Sequence, residues 1–156
     1  MDLTKQINIK VAALQGSPLI NPLQPLAKHQ SHQHCMVCGE KSLLGLKLSF
    51  YSNQDVVWSL VKGSVHQQGY QGILHGGFLS ALLDATMCQA VFNQQVEAVT
   101  ADMNIRFLHE TPINSEMLIK AEVISHYASL YKVTAQIYVE NRVVVKADAR
   151  FMKTAR

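Results

Sequence analysis

Residues 72–92 read GILHGGFLSALLDATMCQAVF, and this stretch predicts a helix that is buried on every side. Over residues 76–92 the apolar side chains cover nearly every face at a period of 3.6 residues, which is typical of a helix enclosed by other structure. The charge pattern agrees, because Asp84 is the single charged residue between His75 and Glu97. The rest of the chain must supply the elements that enclose this helix.

Six segments of strand character flank the helix. Before it, residues 44–50 alternate, with an apolar residue at every second position, and residues 54–65 are rich in β-formers, with Ser52-Asn53 as the turn between them. After it, four segments alternate between apolar and polar residues: 99–107, 117–123, 131–139 and 143–151. Alternation of period 2 predicts antiparallel strands with one covered face. We therefore predict an α+β fold, ordered β-β-α-β-β-β-β, in which one long helix covers a sheet of about six strands.

The composition is that of one folded domain. The 156 residues are 48% hydrophobic and 16% charged, which is enough apolar material to fold without a disulfide or a metal. Residues 1–42 hold three of the four prolines and are interpreted as an N-terminal arm, with an irregular lead-in, before a domain at residues 43–156.

Charge and hydropathy exclude several classes of partner. The net charge is +3, and the Lys and Arg residues are scattered, so no basic stripe for nucleic acid is present. No apolar run reaches the roughly 18 residues of a membrane-spanning helix, so we expect no membrane partner. The chain shows no signal peptide and has three cysteines, an odd number, which favours a reducing compartment. We therefore expect a cytoplasmic protein.

Two features of the buried helix could carry chemistry. His75-Gly76-Gly77 stands at its start, where the backbone N–H groups lack helical partners and paired glycines let a ligand approach, so this end could bind an oxyanion. The same glycines could instead serve only a tight entry into the helix. Asp84 is a carboxylate inside an apolar element, so it must be paired or face a cleft. It is a candidate for function, or for a buried hydrogen bond at a subunit contact.

Two motifs together resemble a known family. Gly72-Ile-Leu-His-Gly-Gly-Phe-Leu-Ser-Ala-Leu-Leu-Asp84 resembles the signature of hot-dog-fold acyl-CoA thioesterases of the phenylacetate-pathway-like branch, in which an Asp follows the His by nine residues. Thr100-Ala-Asp-Met-Asn-Ile-Arg-Phe-Leu108 resembles the strand that follows the helix, and Cys35-Met-Val-Cys-Gly39 resembles the lead-in of many members. The resemblance covers about residues 34–153.

The resemblance implies a fold, an assembly and a reaction. The family's long helix is wrapped by a curved sheet, and subunits pair edge to edge with active sites at the interface, so a homodimer or homotetramer acting on acyl-CoA is implied. Asp84 would be the general base or the nucleophile that leads to thioester hydrolysis. The N–H of Gly76 or Gly77 would polarise the thioester carbonyl. Thr100 would hold the water or Asp84, and His75 would shape the loop. No cofactor is implied.

Four positions in or near these motifs need separate comment. Related enzymes often carry an Asn about six residues before the His, but this chain has Gly69 there, so either the neighbouring Gln68 or the backbone takes over that role. Phe78 and Leu82 are expected to line the pocket for the acyl group. The identity of that acyl group does not follow from the spacing.

Strand alternation sets a condition on Thr100. In a regular strand Thr100 lies on the same face as the polar Asp102 and Asn104, which is the face directed away from the helix. We therefore expect Thr100 to reach Asp84 only at the end of the strand or from a partner subunit.

The lead-in also contains a dense group of possible metal ligands: His29, His32, His34, Cys35 and Cys38. Cys-x-x-Cys is half of a zinc site, and a histidine could add to it. No second cysteine pair follows, and Cys88 lies in the buried helix. From the sequence we therefore expect these cysteines to pack on the sheet, without a metal.

Two other functions compete with hydrolysis. A hot-dog protein could bind acyl-CoA or acyl-carrier protein without cleaving it, which the missing Asn favours and Asp84 does not. A hot-dog dehydratase ranks lower, because that chemistry generally needs a His paired with a carboxylate in a different loop and helix pattern.

Overall fold

The computed structural model describes residues 1–155, in which a seven-stranded antiparallel sheet packs with two α-helices. Helix α1 spans Leu3–Gln15 and α2 spans Gly76–Phe92. The strands are β1 (Gln24–Pro25), β2 (Tyr51–Asn53), β3 (Val56–Lys62), β4 (Ala98–Phe107), β5 (Glu116–Tyr127), β6 (Leu130–Val139) and β7 (Arg142–Lys153). Their order across the sheet is β1-β2-β3-β5-β6-β7-β4, so β4 lies at one edge and pairs only with β7.

The enclosed helix forms over the predicted residues, and the predicted hot-dog arrangement is confirmed. Helix α2 lies on one face of the curved, unclosed sheet and contacts β3 through β7. Its side chains Leu82, Leu83 and Met87 are completely buried among inward residues of the strands. The four long strands after α2 are also confirmed.

A second core on the opposite face of the sheet involves the N-terminal segment. Ile7 and Val11 of α1 are completely buried against Trp58, Leu60 and Leu118. Because β3 is thus covered on both faces, its sequence does not alternate: residues 56–61 are apolar except for Ser59, which is itself buried. Helix α1 begins at the Asp2 cap, whose carboxylate accepts the Lys5 N–H, and ends at Gly16, which has a φ of 71°.

The prediction of a strand at residues 44–50 is wrong. Lys47 adopts a φ of 50°, which breaks the extended conformation, and the N–H groups of Leu46 and Leu48 donate to carbonyls of Met36 and Val37 in the lead-in. The alternating leucines therefore do not share one face: Leu44 is fully exposed, whereas Leu48 is buried. The first hairpin is correspondingly later than predicted, with its turn at Gln54-Asp55 between β2 and β3.

A β-bulge near the start of β4 changes which side chains face α2. The register with β7 shifts between Thr100 and Asp102, so Ala101 has no opposite residue. Thr100 therefore faces the helix, and so do Met103 and Ile105, which pack against the main core. Inward and outward side chains alternate on each side of the bulge. Across the bulge the pattern shifts by one residue, so that Thr100 and Met103 both face the helix.

Among the described residues, no helix is both long enough and apolar enough to span a bilayer.

Candidate active site

The loop that leads into α2 is fastened to its surroundings by backbone hydrogen bonds. The His75 N–H donates to the Gln67 carbonyl at 2.8 Å, and the Leu74 N–H donates to the Thr111 carbonyl at 2.8 Å. The Ile113 N–H donates to the Gly72 carbonyl at 2.9 Å. The first turn of α2 is thereby held in a fixed position against the β4–β5 connection.

His75 caps this first turn. Its Nδ1 accepts the Gly77 N–H at 2.8 Å, which uses one of the two N–H groups that the sequence offered for an oxyanion. Within residues 1–155 the Gly76 N–H has no acceptor. A Cβ on Gly77 would lie 3.0 Å from His75 Nδ1, whereas a Cβ on Gly76 would meet the ring of Phe107 at 3.4 Å. The structure thus leaves Gly76 as the available donor.

Gln68 lies beside this donor. Its Oε1 accepts the Gly72 N–H at 2.7 Å, and the amide nitrogen has no acceptor in the described part of the chain. Together with His75 and Gly76, Gln68 lines an open cavity of about 510 Å³. The side-chain carbonyl of Gln68 is therefore committed to the loop, and its NH₂ group remains for a ligand.

The two predicted acyl-pocket residues have different positions. Phe78 is half-buried and lines a second cavity of about 530 Å³ with Met36 and Leu46 of the lead-in. Leu82 is completely buried in the core of the domain and offers no surface to a ligand in this chain.

The structure brings Asp84 and Thr100 together within one chain. The Thr100 hydroxyl donates to Asp84 Oδ1 at 2.5 Å, and the carboxylate is half-buried on the side of α2 that packs against β4. No Lys, Arg or His between residues 1 and 155 forms an ion pair with Asp84. A carboxylate with one neutral donor and no cation retains lone pairs that can accept a proton.

Asp84 and the Gly76 N–H are far apart in the same helix. They are eight residues apart, which at 1.5 Å per residue is about 12 Å along the axis. A general base and an oxyanion donor that serve one carbonyl must each lie about 3 Å from the reacting atoms. One chain therefore does not place both groups on one thioester.

The lead-in forms a separate cluster of ligand-type atoms. One ligand atom each of His32, Cys35 and Cys38 lies within 4.8 Å of the others, and His29 and His34 lie outside this group. Burial raises the pKa of the Cys38 thiol to about 12. Burial also acts to raise the pKa of Cys35, but the backbone N–H groups of Cys38 and Val37 outweigh it and lower that pKa. In the sequence this cluster is visible as the spacing His-x-x-Cys-x-x-Cys, in which the histidine belongs to the motif together with the two cysteines.

Comparison with known proteins gives a consistent result. Residues 71–146 match the model of the thioesterase superfamily. The mouse acyl-coenzyme A thioesterase THEM4 is 29% identical over 97 residues, which are 61% of this chain and 42% of that protein. The chain therefore spans less than half the length of that curated relative.

Solved structures share the fold. A hypothetical thioesterase of Streptococcus pneumoniae with coenzyme A has a TM-score of 0.62 at 24% identity, over 64% of this chain and 81% of its own. The smu.793 protein of Streptococcus mutans, bound to acetyl CoA, has a TM-score of 0.65 at 19% identity, over 69% and 88%. Mutants of the S. pneumoniae protein replace an aspartate and a threonine that are separated by the same number of positions as Asp84 and Thr100.

Proposed function

Because residues 71–146 match the model of the thioesterase superfamily and the chain shares its fold with solved hot-dog thioesterases, we propose that it is a member of this superfamily and hydrolyses an acyl-CoA thioester to a free acid and CoA. The observation that carries the proposal is the hydrogen bond from Thr100 to the Asp84 carboxylate, which pairs with no cation among residues 1–155. Support for the substrate class comes from the curated relative, an acyl-coenzyme A thioesterase, and from the related folds that hold coenzyme A and acetyl CoA.

In the reaction we assign the role of general base to Asp84. Its carboxylate takes a proton from a water molecule, and the water oxygen forms a bond with the carbonyl carbon. The resulting tetrahedral oxyanion accepts a hydrogen bond from the Gly76 N–H at the positive end of α2. The carbon–sulfur bond then breaks, and the leaving thiolate takes the proton from Asp84. Thr100 orients the carboxylate, and the Gln68 amide can donate to the bound thioester.

The same assignment requires two subunits. Because about 12 Å separates Gly76 from Asp84 along α2, the base and the oxyanion donor on one substrate must come from different copies. Strand β4 offers the means, since its ten residues form an edge with unpaired backbone groups and with exposed apolar side chains such as Val99 and Phe107. We therefore propose a homodimer that pairs along β4, with homotetramers built from it.

A binding function without hydrolysis is the second candidate. It is favoured by the Gly77 N–H, which already donates to His75 within the chain. That leaves fewer donors for a transition state than the motif suggests.

One experiment separates the two functions. The full chain is assayed with acyl-CoAs of varied length and aromaticity, with a thiol reagent that reports free CoA, and binding of each compound is measured in parallel. We expect steady-state turnover of at least one acyl-CoA. Saturable binding without turnover of any compound would refute the hydrolase and support the binding protein. Neither turnover nor binding would refute both.

A further inference from the structure

The cluster in the lead-in has the dimensions of a metal site. Cys38 Sγ lies 3.6 Å from His32 Nδ1, and His32, Cys35 and Cys38 each offer one ligand atom within 4.8 Å of the others. In a tetrahedral zinc site, bonds of about 2.3 Å to sulfur and about 2.0–2.1 Å to nitrogen place those two ligands roughly 3.5–3.6 Å apart. The observed separation therefore matches that of two ligands on one zinc ion, and it is also the length of a hydrogen bond between a thiol and a ring nitrogen.

The backbone around Cys35 is folded so that it supports a thiolate. The Val37 N–H donates to Cys35 Sγ at 3.4 Å, and the Gly39 N–H closes the turn on the Cys35 carbonyl at 2.9 Å. A Cβ at Gly39 would lie 2.5 Å from the Cys35 nitrogen, so only glycine permits this tight turn. Hydrogen bonds from N–H groups to sulfur stabilise the charged form, which is the form that binds metals.

The histidine is oriented by its neighbours. The His32 ring packs edge-on against Phe92 of α2 at 5.1 Å, and the Cys35 N–H donates to the His32 carbonyl at 3.0 Å. The orientation of the ring is thus restricted by its packing against α2.

We propose that His32 Nδ1 and the thiolates of Cys35 and Cys38 bind one Zn²⁺, with a water molecule as the fourth ligand. Within residues 1–155 no fourth His, Cys, Asp or Glu joins the group. On binding, both thiols release their protons to solvent, and the two thiolates balance the charge of the ion.

The ion connects the lead-in to the body of the domain. Val37 and Cys38 belong to the main core, and Met36 and Leu46 line the cavity beside Phe78, so zinc would fix one wall of that cavity. This assignment reverses our expectation from the sequence, which rested on the missing second cysteine pair. It does not depend on whether the chain hydrolyses a thioester.

The test uses the full chain, purified in reductant without chelator, incubated with excess zinc sulfate and desalted. We expect one zinc per chain by elemental analysis. Exchange for Co²⁺ should produce the thiolate-to-cobalt charge-transfer band and the visible bands of tetrahedral cobalt. A fully reduced chain that retains neither zinc nor the cobalt spectrum would overturn the proposal, and this measurement needs no variant.

Matched variants locate the site. Cys35→Ser and His32→Ala should each reduce the bound zinc to below about a tenth of the wild-type content after desalting. Cys88→Ser changes the third thiol, and His34→Ala changes an exposed histidine of the same segment; both should retain full zinc. Equal retention by Cys35→Ser and wild type would overturn the assignment.

Discussion

The Thr100 hydroxyl donates a 2.5 Å hydrogen bond to Asp84 Oδ1, although the two residues are 16 positions apart and belong to different elements. The bond exists because the bulge at Ala101 turns Thr100 towards α2 while Asp102 and Asn104 stay on the outer face. Asp102 there pairs with Arg150 of β7, which also lowers the pKa of the Asp102 carboxyl. The bulge therefore places Thr100 against Asp84 of α2, whereas Asp102 lies on the outer face and pairs with Arg150.

Thr100→Val should slow turnover without preventing binding. The substitution keeps the β-branched shape and removes the hydroxyl that orients Asp84. A hydrogen bond to a charged group is worth about 1.5–3 kcal/mol, so we expect kcat to fall by about 10- to 100-fold. KM for the best acyl-CoA should change little, and Thr100→Ser should restore most of the rate. An unchanged kcat in Thr100→Val would show that the hydroxyl does not support the carboxylate.

The elements that could be predicted from the sequence are those whose buried residues recur with a single period. Helix α2 and the four strands after it have the predicted positions, because a helix without a polar face and strands of period 2 each have one way to be buried. The irregular features were not readable. The bulge at Ala101 has no local signature, so the sequence predicts continuous alternation along β4, in which Thr100 reaches Asp84 only at the strand's end or from a partner.

The lead-in shows a second limit. Residues 44–50 alternate like a strand, but Gly45 and the positive φ of Lys47 let the chain fold back on Met36 and Val37 instead of joining the sheet. That long-range packing, like the cap that His75 places on Gly77, depends on contacts that spacing does not encode. The sequence therefore predicts which residues are candidates for the site. It does not predict that the Gly77 N–H is occupied and the Gly76 N–H is available.

His75→Ala should destabilise the fold through its helix cap. The loss of a side chain that accepts an N-terminal N–H typically costs about 1 kcal/mol. For a chain of this size we expect Tm to fall by about 2–4 °C in thermal unfolding followed by circular dichroism. His75→Asn retains an acceptor of similar reach and should recover most of the loss. Equal Tm values for His75→Ala and wild type would show that the cap contributes nothing.

Pairing along β4 should determine the oligomeric state. Light scattering at micromolar concentration should give at least twice the chain mass of 17.4 kDa. Asn104→Glu places a charge on each of two like edges and should shift the protein towards monomers with loss of hydrolysis, because like charges on adjacent strands repel. Lys132→Glu, on the interior strand β6, should leave the mass unchanged. A wild-type monomer with full activity would contradict the two-subunit site.

Cys88 should resist alkylation in the folded protein. Burial raises the pKa of this thiol from 9.0 to about 12, and a raised pKa favours the neutral, unreactive form. At neutral pH the thiolate fraction therefore falls by about a thousandfold relative to the unfolded chain. Labelling with iodoacetamide, followed by peptide mass spectrometry, should modify Cys88 at least about 100-fold faster in concentrated urea than in buffer. Similar rates in the two conditions would contradict the burial.

Asp84→Asn should separate catalysis from binding. The substitution keeps the size of the side chain, and its amide oxygen can still accept the Thr100 hydroxyl, but the base is lost. General-base catalysis typically contributes about 10²–10⁴-fold, so we expect turnover to fall by at least about 10² while dimerisation and acyl-CoA binding survive. Stability should hold or rise slightly, because a half-buried charge is removed. Asp55→Asn, in the exposed β2–β3 turn, is the matched control and should behave like wild type. Unchanged turnover in Asp84→Asn would remove this carboxylate from the mechanism, and loss of folding would instead identify Asp84 as a structural hydrogen-bonding residue.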